Sequence, residues 1–218
     1  MRKTIALSLI LILAFCLSSC GSEQQLTEGG WEVQTSNEAK LSDDEQDYFD
    51  AAVKQWNSGK FKAVALLGTQ VVAGTNYCFL AENKSGYHVL IAYVNLDNEV
   101  EGVSVSRLSI SADSFGGEDD NGTAGGWTVP EDSCADPSAD DVKVLGKAVG
   151  NLTGAGYGLI AALGTQVVAG TNHLYLCAQT TVTAEPVTSL SMVTIYEDLQ
   201  GNCEITDVVP FSIASFNE

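Results

Sequence analysis

The sequence predicts an α+β chain built from two tandem domains, each one helix packed on a four- to five-stranded antiparallel sheet. Three observations lead there. The nonapeptide GTQVVAGTN runs from Gly68 to Asn76 and again from Gly164 to Asn172, an offset of 96 residues. The same offset carries Gly29-Gly30-Trp31 onto Gly125-Gly126-Trp127 and Ala52-Val53 onto Ala148-Val149. Several matches at one offset mean a duplicated unit. Each copy also holds one Ser-capped amphipathic segment, followed by apolar runs broken at turn residues.

The elements follow in order. Trp31 to Thr35 is a short extended segment. Ser42-Asp43-Asp44-Glu45 is a capping-box signature, and Phe49, Ala52, Val53 and Trp56 recur at helical spacing before Gly59 stops the run. Phe61–Val72 reads as a strand, Ala73-Gly74 as a tight turn and Thr75–Glu82 as the return strand. Asn83–Gly86 and Leu96–Glu99 are further turns, between which Tyr87–Val94 is a strand; Gly102–Ile110 is the last. One helix face on one sheet face makes a complete two-layer core. In the second copy Ser138-Ala139-Asp140-Asp141 opens a helix with Leu145, Ala148, Val149 and Leu152 on one face. Gly146 and Gly150 weaken it by about 1 kcal/mol each relative to Ala. Strands are expected near Tyr157–Val168, Thr171–Val182, Thr188–Tyr196 and Glu204–Ile213. Seven additional residues in the second copy fall near Thr183–Thr188 and lengthen that hairpin.

The ends set the cellular context. Residues 1–19 have a signal-peptide pattern: Arg2 and Lys3, then an apolar core from Ile5 to Leu17. The run Leu17-Ser18-Ser19-Cys20-Gly21 resembles a bacterial lipobox, which implies that Cys20 is lipidated and anchors an exported chain to the cell membrane. Residues 20–28 are then a tether reaching at most about 25–30 Å, 29–112 the first domain, 113–124 a Gly- and acid-rich linker, and 125–218 the second domain. Loss of the leader removes two cations and no acids, leaving eight cations against 28 acids and a net charge of −20. That balance argues against nucleic-acid binding, which needs a basic surface. Four cysteines remain after Cys20: Cys78, Cys134, Cys177 and Cys203. Export permits disulfides, but the copies do not align their cysteines, and three pairings stay open. No metal or cofactor is implied by the residues.

The run Gln70-Val71-Val72-Ala73-Gly74-Thr75-Asn76-Tyr77 resembles the first inhibitory hairpin of the cystatin family, and especially of its stefins. QxVxG alone is a weak pattern. Its weight comes from the Gly-Gly pair about 40 residues upstream, the capped helix between, and the strand–turn–strand setting, all of which recur in the second copy. The resemblance covers nearly all of residues 29–112 and 125–214. It implies two tandem cystatin-like domains that inhibit papain-like cysteine proteases by filling the active-site cleft. The protease-binding residues would be the trunks Gly29, Gly30 and Gly125, Gly126. The first hairpins would be Gln70, Val71, Val72, Ala73, Gly74 and Gln166, Val167, Val168, Ala169, Gly170. Leu96 and Leu199 would mark the second hairpins. The Pro-Trp that many cystatins carry in the second hairpin is missing, and a Leu offers less apolar contact than Trp.

Plainer readings of the same residues exist. A hairpin turn can merely connect strands, yet a plain connection has no evident need for the same Gln and Val pair in both copies. Trp31 and Trp127 read as core residues. An enzyme is not expected: His173 and Cys177 stand four apart in one strand, about 13 Å along it, too far for a nucleophile–base contact. Glu118-Asp119-Asp120-Asn121-Gly122 lacks the spacing of an EF-hand and reads as solvated linker. The competing functional class is a cystatin-fold binding or adhesion module with no protease target. Inhibition requires trunk and hairpins at the same end of the domain.

Overall fold

The computed structural model describes residues 30–36, 38–110, 126–129 and 136–216. The leader, Cys20, the tether, Gly29, the linker 113–124, Gly125 and Cys134 lie outside the described residues. What is described is an α+β chain with two helices and two five-stranded antiparallel sheets. The first unit runs β1 (Glu32–Val33), α1 (Asp43–Trp56), β2 (Lys62–Val72), β3 (Gly74–Asn83), β4 (Gly86–Val94) and β5 (Val100–Arg107). The second runs β6 (Trp127–Thr128), α2 (Ala139–Val149), β7 (Ala155–Val168), β8 (Gly170–Thr181), β9 (Thr188–Glu197) and β10 (Cys203–Phe211), ending in a 3₁₀ turn, Ile213–Phe216. Each sheet is a meander in chain order.

Both helices start where the sequence places them. Ser42 Oγ accepts the Glu45 N–H while the Glu45 carboxylate accepts the Ser42 N–H at 2.7 Å. Ser138 and Asp141 form the same reciprocal pair. Two orphan donors at each helix start are thereby satisfied, and acidic first turns complement the helix dipole. The apolar faces are narrower than the periodicity suggests. Phe49 and Ala52 are buried, whereas Trp56, in the last turn of α1, is 38% exposed. In α2 the buried pair is Val144 and Leu145, and Leu152 lies beyond the helix end, half exposed. Phe49 meets Phe79 edge-on at 5.4 Å between ring centroids. In the second unit the corresponding tie is polar: the Tyr175 hydroxyl donates to Asp141 of the α2 capping box at 2.9 Å. The inserted residues do lengthen the β8–β9 connection, to residues 182–187, against the two-residue turn between β3 and β4.

The core departs from the two-layer expectation. Along β3, Phe79 and Ala81 face the α1 side while Cys78 and Leu80 face the other way; on β4, Leu90 and Ala92 alternate with Tyr87, Val89 and Ile91 in the same manner. The second sheet splits likewise. Tyr175, Cys177, Val193 and Ile195 pack with α2, and Leu174, Leu176, Leu190 and Met192 point away from it. The two away-facing sets form one buried cluster that joins both sheets, with Leu67 and Leu163 in its middle. The chain is thus four layers, helix–sheet–sheet–helix. The physical reason stands in the strands: the apolar runs of β3, β4, β8 and β9 are nearly continuous, which suits strands buried on both faces. A separate two-layer unit would leave one of those faces in water.

Trp31 and Trp127 pack against this shared cluster, which bears out the core reading, although among the described residues neither buried indole N–H has a hydrogen-bond partner. Cys78 lies in the shared cluster and Cys177 under α2; with half-buried Cys203, all three are free thiols among the described residues. Burial pushes the Cys177 thiol up to about 12 and the Cys78 thiol up as well, so neither is an activated nucleophile.

The shared cluster makes the two units energetically dependent. Leu163→Ala, at a fully buried position, should cost about 2–5 kcal/mol and lower the denaturant midpoint of both units together. Urea unfolding followed by far-ultraviolet circular dichroism and by tryptophan fluorescence should give coincident curves. Two separated transitions, with the first unit unmoved, would show that the sheets hold independently.

Candidate functional site

The repeated nonapeptide forms the β2–β3 and β7–β8 hairpins, and most of its letters have work to do inside them. Gln70 and Asn76 are cross-strand partners, and Asn76 Nδ2 donates to Gln70 Oε1 at 2.7 Å. Asn172 and Gln166 repeat the bond at 2.7 Å, and Gln166 is only 6% exposed. The glutamines that the sequence marks for protease contact thus brace their hairpins, Gln166 buried and Gln70 partly so. Gly74 and Gly170 have φ of +137° and +143°, which side chains rarely adopt. A Cβ there would collide with the carbonyl oxygen of Val94 or Glu197 and come within 2.8 or 2.7 Å of the Tyr93 or Tyr196 ring. The same tyrosines clamp the turns, their hydroxyls donating to the Ala73 carbonyl at 2.5 Å and the Ala169 carbonyl at 2.6 Å. Gly68 and Gly164 sit where β1 and β6 cross: a Cβ would lie 2.7 Å from the Glu32 carbonyl oxygen or 3.1 Å from that of Thr128. Each also follows a break in strand register.

Once those demands are met, Val71-Val72 and Val167-Val168 remain. They are identical between copies and face water: 48% and 43% exposed in the first unit, 70% and 44% in the second. Ala73 and Ala169 are exposed at the turns between them and the buried glycines.

The second pair of turns presents another apolar tip. Leu96 is 82% exposed and Leu199 is 79% exposed. Both turns are tightly closed. Asn95 Oδ1 accepts the N–H groups of Asp97 and Glu99, both at 2.9 Å. Asp198 Oδ1 accepts those of Gln200 and Asn202 at 2.9 and 2.8 Å. The Asn202 side chain bonded to Asp198, and then the backbone donors, hold that carboxyl below its usual range, so it stays an acceptor-only anion.

Strand register brings these parts together. Thr75 opposite Val94 puts the β2–β3 and β4–β5 turns side by side, and Glu32 opposite Thr69 runs the chain so that Gly30 leaves toward the same turns. In the second unit Thr171 lies opposite Glu197 and Trp127 opposite Gln166, with Gly126 leaving at the hairpin end. Each unit thus gathers a glycine trunk, a rigid Val-Val-Ala hairpin and an exposed leucine at one end of its sheet. Gly29 and Gly125, the outer trunk glycines, lie outside the described residues.

The described histidine and cysteine of β8 do not meet as a nucleophile and base. His173 bonds Glu197 at 3.2 Å and stacks on Tyr175, while Cys177 lies two pleat repeats further along the strand, under α2. Among the described residues no group of three or more His, Cys, Asp or Glu is placed to hold a metal ion, and no helix is long and apolar enough to cross a membrane. No known protein-family model matches the chain.

The hairpin geometry separates scaffold from surface by mutation. Gly170→Ala should destabilise the protein by about 1–3 kcal/mol through strain and collision. Gly146→Ala, mid-helix with open space at its Cβ, should stabilise it by up to about 1 kcal/mol. Thermal unfolding of the two variants checks both signs.

Proposed function

We propose that this chain is a tandem cystatin-like inhibitor of papain-like cysteine proteases, exported and held at the bacterial cell membrane by lipidated Cys20. The observation that carries the reading is the Val pair, kept identical in both copies, exposed, and set between a glycine trunk and an exposed leucine at one end of each sheet. An apolar strip on a braced hairpin suits insertion into a preformed cleft. Desolvating valine and leucine supplies affinity, and a hairpin clamped by Gln–Asn and Tyr–carbonyl bonds loses little conformational freedom on binding. The backbone at the turn occupies the cleft without offering a scissile peptide to the nucleophile. The leucine tips replace the larger aromatic contact of many cystatins, so the first hairpin carries most of the binding free energy. No cofactor or metal takes part, and the net charge of −20 on the mature chain keeps it off nucleic acid and anionic lipid, leaving the acyl anchor as the link to the membrane.

The test uses soluble mature chain lacking Cys20, titrated against papain beside a Val71→Ser/Val72→Ser/Val167→Ser/Val168→Ser variant. These side chains are largely outside the core, so the variant should fold as the parent does. Tight inhibition by the parent, weakened about hundredfold or more in the variant, supports the proposal. A folded parent that leaves papain and a panel of related proteases untouched would favour a non-inhibitory binding or adhesion module. The anchor has its own check. In a bacterial host that processes lipoproteins, the full chain should fractionate with membranes and take up labelled palmitate, and Cys20→Ser should do neither.

A further inference from the structure

The two wedge ends share their apolar parts but not their charge. In the first unit Glu32 lies on β1 beside the hairpin, Asp97 and Glu99 are exposed in the β4–β5 turn, and Glu101 follows at the start of β5. Glu101 accepts from the Asn95 side chain at 2.8 Å. Among the described residues none of these four carboxylates is in ion-pair contact with a lysine or arginine. The cations of this sheet are at its other end: Lys62 opposite Glu82, Lys84 in the β3–β4 turn and Arg107 opposite His88.

In the second unit Thr128, Gln200 and Asn202 stand where the first copy has Glu32, Asp97 and Glu99. Glu204 keeps the place of Glu101, exposed near the start of β10, and Asp198 accepts the bonds that close its own turn. Glu197 is met by His173. Lys147, from the last turn of α2, donates to the Gly201 carbonyl at 2.8 Å and so brings a cation against the leucine tip.

We infer that the two wedges select different proteases, and that the first is matched to a papain-like protease whose cleft rim is basic. This rests on the inhibitor reading above. Four acids grouped around an apolar tip give a field that steers an oppositely charged rim and repels an acidic one. Such steering acts chiefly on association rate and fades as salt shortens its range. The second wedge keeps fewer acids, Glu197 facing His173, Asp198 and Glu204, with Lys147 beside the tip, so its association rate depends less on rim charge and salt than that of the first.

Two soluble full-length variants isolate the wedges. Val167→Ser/Val168→Ser/Leu199→Ser leaves the first, and Val71→Ser/Val72→Ser/Leu96→Ser leaves the second. The probe is a papain-like protease of net positive charge, used unmodified and with its lysines succinylated, and the readout is the association rate at 20 and 300 mM NaCl. The first wedge should slow about tenfold or more with salt, and comparably on succinylation, while the second changes by less than about threefold. Adding Glu32→Thr/Asp97→Gln/Glu99→Asn to the first-wedge variant should bring its salt dependence down to that of the second. Equal salt dependence of two active wedges would overturn the inference and leave the inhibitor reading standing. So would a silent first wedge in a parent that inhibits. A folded parent with no inhibition at any salt overturns both.

Discussion

The constraint on which the rest depends is that both faces of both sheets must be covered. Each sheet has an apolar face toward its helix and a second apolar face without a helix. The two second faces cover one another through Leu67, Leu80, Val89, Leu163, Leu176 and Met192. Had either unit stood alone, that face would have remained in water, at a cost proportional to its apolar area. Duplication answers the problem, since a copy of the unit supplies a surface of matching character. It also leaves the outer helices and the hairpin ends free of the shared core. Val71, Val72 and Leu96 are exposed at one end of the first unit, and Val167, Val168 and Leu199 at one end of the second, in the same packed structure.

The repeated hairpin combines two kinds of constraint in nine residues. Gly68 yields to the crossing of β1, Gln70 and Asn76 tie the strands, and Gly74 adopts a φ that other residues resist while Tyr93 closes over the turn. These requirements alone would keep much of the block constant in any protein with this turn, whatever its function. The exposed valines are different. Among the described residues no contact named above calls for two β-branched apolar side chains facing water, and stiff apolar side chains suit an apolar cleft. Val71-Val72 and Val167-Val168 are therefore the residues left for work at the surface, whereas the hairpin itself explains the constancy of the glutamines.

The parts of the fold that were legible depend on local chemistry. Ser42 with Glu45, and Ser138 with Asp141, announce helix starts because a capping box is made within four consecutive residues. Turn positions were readable for the same reason, and the antiparallel meander follows from short connections that leave neighbouring strands few alternatives. Helix ends were less readable. Trp56 and Leu152 have the right spacing for a buried face, yet Trp56 is the last residue of α1 and stays half exposed, and Leu152 lies past the end of α2 at Val149. The candidate site was legible as a set of residues, since trunk, hairpin and leucine turn were each marked, but which side chains point outward was not.

The duplication, the helix caps, the strand order within each unit and the hairpins that carry the valines are written in the sequence. All of these are encoded in periodicity and in residues a few positions apart. Tertiary structure alone decided three further things. It tied Gln70 and Gln166 to Asn76 and Asn172 across the strands and buried Gln166 in doing so. It set Lys147 against the Gly201 carbonyl from 54 residues away. And it brought the two sheets face to face. The near-continuous apolar runs of β3, β4, β8 and β9 do say that both faces need cover, but a run of apolar residues cannot name its cover. Only the assembled chain shows that each sheet is covered by the other.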